Sequence, residues 1–185
     1  ISAVHNNSHQ KPRCSNPIGI LTASNRDVWA TNYKHLCDNP LNKISLEQIQ
    51  SASFVLCLDD NFPTTIAEKS VDCWYGNGYN RWFDKPVQLF VAKNASSGFL
   101  GEHSRMDGTP TLRMNDWIIK QISKMSVTEF HDEKKTAPQY TKLVFEVDPF
   151  IQSQIQKEKK AFKQVTESLS INVWQFHGFG KEEIK

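Results

Sequence analysis

The sequence has no long apolar run. Nothing in its 185 residues approaches the roughly 18 consecutive apolar side chains that a bilayer-crossing helix requires, so no membrane-spanning helix is expected. Cysteine is scarce. The four cysteines, at positions 14, 37, 57 and 73, include no C-x-x-C pair, which removes the thiolate-metal and dithiol redox motifs. Cys57 lies inside the apolar run SFVLCLDD, where a thiol packs as a small hydrophobe. This usage favours a reduced intracellular compartment over disulfides. An excess of one charge is also missing. The 22 basic and 20 acidic residues leave a formal +2, interspersed rather than blocked, unlike the clustered basic face of a nucleic-acid binder. No two of the six histidines have ligand spacing with acidic or cysteine support, so no metal site is expected. Internal repeats and low-complexity tracts are absent as well.

What remains is a globular composition, 38% hydrophobic, 11% aromatic and 23% charged. The length allows one domain, or one domain and a piece of another. The chain opens on Ile1 rather than Met and closes on KEEIK without a helix or strand terminator, so a fragment is expected.

Periodicity and turn residues predict alternating elements. The short apolar run IGILTA reads as a buried strand. Ser24 or Asn25 caps a helix through about Leu36, and Pro40 breaks it. Ser45 opens a short second helix. SFVLCL reads as a strand ending at Asp59-Asp60, and Pro63-Thr64-Thr65 leads into a helix reaching about Trp74. YGNGYN is a glycine-rich bend. VQLFVA and GFLGE, joined by KNASSG, read as an antiparallel hairpin. KLVFEV alternates, with Leu143, Phe145 and Val147 on one face, and reads as a strand. Asp148-Pro149 is a helix start, followed by a stripe of Ile151, Ile155, Phe162, Val165 and Leu169. INVWQF is a last strand. Together these give an α/β or α+β layered fold with a mixed sheet flanked by helices.

One loop carries chemistry. GEHSRMDGTP, residues 101–110, lies between the GFLGE strand and a helix beginning near TPTLRMNDWIIKQI. Thr109 can cap that helix, and Pro110 suits its first turn. The positive end of the helix favours an anionic Asp107 and a neutral imidazole at His103, the form a general base needs. An isolated histidine would more often be an ordinary surface-loop or core residue. Here it stands in the pattern H-x-x-x-D-G, His103 to Gly108.

That pattern resembles the signature of the CoA-dependent acyltransferases. The neighbouring NRWFDKPVQLFV and SGFLGEHSRMDGTP are similar to the central block of the choline/carnitine acyltransferase family. GILTASNRDVW and FVLCLDD are similar to its upstream blocks, and VWQFHGFGK to a downstream one. The matches follow family order from about Pro17 to Lys185. The EHSRMDGTP form is most like the fungal-type carnitine acetyltransferase branch of the family. YGNGY is shorter than the glycine-rich segment that many relatives carry.

The resemblance implies an α/β CoA-dependent acyltransferase fold of the chloramphenicol acetyltransferase type, incomplete in this chain. Residues 1–147 would be the later part of a first, histidine-bearing domain, and residues 148–185 the start of a second. It implies reversible transfer of an acetyl or short acyl group between CoA and the carnitine hydroxyl. His103 would be the general base and Asp107 an orienting carboxylate that acts through an arginine of the other half. Gly108 would ease the turn into the helix, although an ordinary helix-entry glycine is equally compatible. Lys181 and Lys185 would contact the 3′-phosphate of CoA; read without the resemblance they are solvated lysines near a chain end. Arg81 and Asp84 could bind substrate, but an internal ion pair beside Trp82 and Phe83 is the preferred reading, with a fold-determining role. Acetyl-CoA and carnitine would be substrates, with no permanently bound cofactor and no metal. The carnitine-recognising half would lie in the missing C-terminal part of the same polypeptide, leaving this piece inactive or nearly so. Choline acetyltransferase, a longer-chain carnitine acyltransferase and a non-catalytic CoA-binding remnant are the alternatives. Mitochondria or peroxisomes are the expected locations, with the cytosol a third.

Overall fold

The computed structural model describes residues 16–104, 106–125 and 140–184. A 3-10 turn, Ile18–Ala23, leads into helices α1 (Arg26–Cys37) and α2 (Pro40–Ser51). Strand β1 (Val55–Leu58) and helix α3 (Ile66–Trp74) follow, then the hairpin β2 (Gln88–Val91) and β3 (Ser97–Leu100). Helix α4 (Gly108–Ile122), helix α5 (Pro149–Glu167) and a 3-10 turn at Lys181–Ile184 complete the described elements. The sheet order is β1-β2-β3, with β1 parallel to β2 and β2 antiparallel to β3. The parallel pair is joined by a long connection through α3 and the antiparallel pair by a short turn, as each geometry demands. The architecture is α/β, with a small mixed sheet and helices, as the sequence predicts.

Local cap chemistry sets the helix starts. Asn25, Asn39, Thr65, Asp107 and Asp148 each accept a backbone N–H of the helix they precede, satisfying donors that have no intrahelical partner. Thr65 and Glu68 form a reciprocal capping box. Pro40 does not break the chain into a loop. It occupies the first turn of α2 behind the Asn39 cap, where its missing N–H costs nothing. Helix α2 therefore begins five residues before the expected Ser45, and Ser45 lies buried inside it.

Three expected strands are not strands. IGILTA is the first 3-10 turn, closed by Ile20 N–H on the Pro17 carbonyl at 3.2 Å. Its burial was legible, since Ile20 and Leu21 are fully buried, but burial does not distinguish a strand from a tight helical turn. KLVFEV is extended without a strand partner among the described residues. Helix α2 takes the role of a neighbouring strand. Asn42 donates to the Glu146 carbonyl at 2.9 Å and accepts from the Glu146 N–H at 2.7 Å, and Ser45 Oγ donates to the Val144 carbonyl at 2.6 Å. The alternation still has its packing consequence, because Phe145 and Val147 lie against the core. INVWQF also pairs with no strand among the described residues, and Trp174 is 79% exposed.

The main core joins the first 3-10 turn, α1, α2 and α5 through Ile18, Ile20, Leu21, Trp29, Leu36, Leu46, Trp82, Ile151 and Ile155. Trp29 meets Trp82 edge-on at 5.9 Å, a preferred aromatic geometry. The expected α5 stripe is buried at Ile151 and Ile155 and half-packed at Phe162, while Val165 and Leu169 are exposed. Around the sheet, Cys57, Phe90, Ala92 and Leu100 are buried.

Arg81 and Asp84 determine the fold, but not by pairing with each other. Arg81 makes a bidentate ion pair with Asp59 at the end of β1, at 2.9 and 2.8 Å, with both side chains almost fully buried. Asp84 instead accepts from Arg26 at 2.6 Å and from the Trp29 indole, fixing the start of α1. The adjacent Lys85 is buried and donates to the Ile49 and Gln50 carbonyls at 2.7 and 2.9 Å. It closes the C-terminal end of α2, where a cation is favoured. Burial lowers its pKa from the usual lysine range.

Candidate active site

The loop carrying His103 hangs between two unequal supports. On one side is β3, hydrogen-bonded to β2 in register Leu100 to Gln88, with Leu100 buried. Gly98 of β3 lies directly over Phe90, and a Cβ there would come within 2.3 Å of that ring and 2.9 Å of Cys73 Sγ. On the other side is α4, which has no buried residue. Leu112, Trp117, Ile119 and Ile122 are each at least 60% exposed, while Met114 and Ile118 are half-buried.

Asp107, not Thr109, is the cap of α4. Its carboxylate accepts the Gly108 N–H at 2.6 Å, and the helix begins one residue later, with Thr109 and Pro110 inside its first turn. Gly108 has an open surrounding, with nothing within 4 Å of a notional Cβ. No close contact therefore demands glycine there.

His103 and Asp107 are brought together. The imidazole Nε2 lies 3.5 Å from Asp107 Oδ1, with side chains 76% and 83% exposed. This is an ion-pair separation rather than a short hydrogen bond, and it pairs charges only when the imidazole is protonated. The same carboxylate thus faces the helix end and the histidine. Beside it, the Glu102 carboxylate accepts from Ser104 N–H at 2.9 Å and from Ser104 Oγ at 2.7 Å, so His103 sits within a braced turn. In GEHSRMDGTP, Glu102 and Ser104 are simply the residues flanking His103. Their E-x-S spacing, an acid two residues before a hydroxyl, was the available signal.

The remaining predicted residues lie elsewhere. Lys181 opens the last 3-10 turn and is exposed, close in sequence to an aromatic cluster in which Phe176 meets Trp174 at 5.5 Å and Phe179 at 4.7 Å. Lys185 lies outside the described residues. Two larger cavities, of about 580 and 600 Å³, flank helix α2, around His35 and Asp148 and around Leu41 and Leu143. Neither is lined by His103. Among the described residues no group of three or more His, Cys, Asp or Glu side chains is arranged to hold a metal ion, and no helix is long and apolar enough to cross a membrane.

An exposed base flanked by carboxylates on a strand-to-helix loop has the parts for proton transfer to or from a hydroxyl or thiol. Comparison with known proteins gives it a family. A family model described as Choline/Carnitine o-acyltransferase matches residues 1–185. The chain is 40% identical to the mitochondrial carnitine O-acetyltransferase of Saccharomyces cerevisiae, over all of this chain and 28% of that protein. It is 32% identical to human carnitine O-acetyltransferase over 90% of this chain and 28% of that protein. It is 34% identical to human mitochondrial carnitine O-palmitoyltransferase 2 over 96% of this chain and 27% of that protein. The chain spans about 28% of the length of the curated acetyltransferase relatives it matches. It belongs to the choline/carnitine O-acyltransferase family, a family of acyl-transferring enzymes.

Proposed function

We propose that this chain is the base-bearing segment of a carnitine O-acetyltransferase. His103 takes the proton from the carnitine hydroxyl as that oxygen attacks the thioester carbonyl of acetyl-CoA. The C–O bond forms, the C–S bond breaks, and the proton passes on to the departing CoA sulfur. In the reverse direction the same imidazole deprotonates the CoA thiol. No acyl-enzyme is formed. The single observation that carries the reading is the His103-x-x-x-Asp107-Gly108 loop between β3 and α4, with His103 and Asp107 3.5 Å apart, in a chain of this family. A hydroxyl is a weak nucleophile near neutral pH, and a positioned base contributes about 10²–10⁴-fold. Holding both substrates together and stabilising the oxyanion must supply the rest.

In this reading Asp107 orients the site and Lys181 and Lys185 meet the 3′-phosphate of CoA, for which ammonium groups are suited as compact charges. The carnitine-recognising half comes from the rest of the polypeptide, and the whole adopts the chloramphenicol acetyltransferase type of fold. The likeness to the mitochondrial yeast enzyme supports a mitochondrial location, with a peroxisomal one the alternative. The 34% identity to a human carnitine O-palmitoyltransferase favours one second reading, a longer acyl preference. Acetyl- against octanoyl- and palmitoyl-CoA in one assay separates the two, and choline offered in place of carnitine tests the alcohol. His103→Ala in the full-length polypeptide is expected to lower acetyl transfer at least 10²-fold. Activity near wild type would remove His103 as the base.

A further inference from the structure

The Glu102 brace lies across the residue that the proposed function makes the base. Both oxygens of the Glu102 carboxylate are engaged by Ser104, one by its N–H at 2.9 Å and the other by its Oγ at 2.7 Å. The two hydrogen bonds close a ring around the backbone of His103, whose own side chain remains 76% exposed. No core contact can therefore fix that backbone from the imidazole side. The chain before it is firmly seated. Leu100 is buried, and at Gly101 a Cβ would come within 2.8 Å of the Phe99 ring, so the backbone lies directly on that ring. After the turn Asp107 caps α4, a helix with no buried residue. Past the buried Leu100, the Glu102–Ser104 pair restrains the peptide units on both sides of His103.

We infer that Glu102 is a positioning residue for His103, acting through Ser104 rather than on substrate. The inference rests on the reading of His103 as the base. A carboxylate suits the task because each of its oxygens accepts a hydrogen bond independently, so the N–H and the hydroxyl of one residue can be held at once. Charge adds strength to both bonds. A misplacement of about 1 Å at a reacting group costs on the order of 10²-fold in rate. Losing the brace without losing the base should therefore cost on the order of 10-fold or more in kcat, with KM for acetyl-CoA and carnitine little changed.

The test uses the full-length polypeptide and acetyl transfer between CoA and carnitine. Glu102→Ala is expected to lower kcat about 10- to 100-fold at unchanged KM. Glu102→Gln is expected to recover most of it, because its Oε1 can accept the Ser104 N–H while its Nε2 donates to Ser104 Oγ. Ser104→Ala, which keeps the N–H bond and loses only the hydroxyl, should fall between wild type and Glu102→Ala. Glu102→Ala should cause no further loss in a His103→Ala background, because it acts only through the histidine. If His103→Ala is inactive while Glu102→Ala keeps kcat within about twofold, the positioning role is wrong and the base assignment stands. The role is equally wrong if Gln gives no recovery over Ala, or if the two losses add. If His103→Ala itself turns over near the wild-type rate, the base assignment fails and the inference fails with it.

Discussion

Replacing Asp59 with alanine strands a guanidinium inside the protein. The Arg81 side chain is 0% exposed and Asp59 is 5% exposed, joined by bonds of 2.9 and 2.8 Å. Asp59 Oδ1 also accepts from Asn80 Nδ2 at 2.8 Å, a donor that keeps the Leu58 carbonyl at 2.9 Å in the variant. Arg81 keeps the Asn80 carbonyl at 2.9 Å and the Asp72 carbonyl at 3.3 Å, but neutral acceptors do not balance a charge. The Asp72 carboxylate is close by, with both oxygens held by Asn61 at 2.9 Å, and it offsets part of the loss. Breaking a buried pair from one side costs about 3–5 kcal/mol, and Asp72 places the expectation near about 3. At about 2–4 °C per kcal/mol for a chain of this length, Tm falls by roughly 6–12 °C. Urea unfolding followed by tryptophan fluorescence measures the change. A paired variant, Asp59→Leu with Arg81→Met, should recover most of it, because a buried ion pair is often replaceable by packed apolar groups. A loss below about 1 kcal/mol, or a double variant no better than the single one, would refute the account. The site should register the damage. The Arg81 guanidinium carbon stands 4.9 Å from the centroid of Phe90, and Phe90 packs under Gly98 of β3, the strand that delivers His103.

Asp107 can be divided between its two tasks. Asparagine caps as well as aspartate, whereas alanine costs about 0.5–2 kcal/mol, so Asp107→Asn should keep the circular-dichroism helicity of α4 and Asp107→Ala should lower it. An exposed pair is worth about 0.2–1 kcal/mol. If the 3.5 Å approach to His103 is its whole catalytic part, Asp107→Asn should cost acetyl transfer no more than about fivefold. The Glu68 carboxyl, held by the Thr64 and Thr65 N–H groups and hydroxyls, is lowered from 4.5 to about 2. A depressed folded pKa stabilises above the ordinary value and is lost as pH falls through the folded one. The N-terminal turn of α3 should therefore persist at pH 4 and loosen toward pH 2, read by a carbon-13 titration of that carboxyl; a midpoint near 4.5 would show that the capping box does not form.

The helix starts were legible because they are local. Asn25, Thr65 and Asp148 act on donors two or three residues away, so the signal and its effect share one short window. Pro40 shows the limit. Proline stops one helix and starts the next by the same missing N–H, and the Asn39 before it decides which. The strands were less legible because a strand needs a neighbour. VQLFVA and GFLGE carry their partners with them through a short turn, and they pair as expected. KLVFEV has the same alternation, but its bonds come from Asn42 and Ser45 of a helix about a hundred residues earlier. Period-two patterning specifies which side chains face inward. It does not specify what satisfies the backbone.

The site divides along the same line. The approach of His103 to Asp107 spans one loop and one helix cap, and the sequence order brings both within reach. The partner of Arg81 was misjudged because Asp84 is near in sequence while Asp59 is near in space, 22 residues back at the end of β1. That distant pair supports Phe90, Phe90 supports β3, and β3 sets the position from which the His103 loop departs. Helix α4 supplies no comparable anchor, having no buried residue of its own. The backbone on either side of the imidazole is braced by short-range hydrogen bonds, those that Ser104 donates to Glu102 and that Gly108 donates to Asp107, while the loop departs from the sheet. Substitutions beneath the sheet should move the histidine as a unit with β3. Substitutions in the loop should turn it in place.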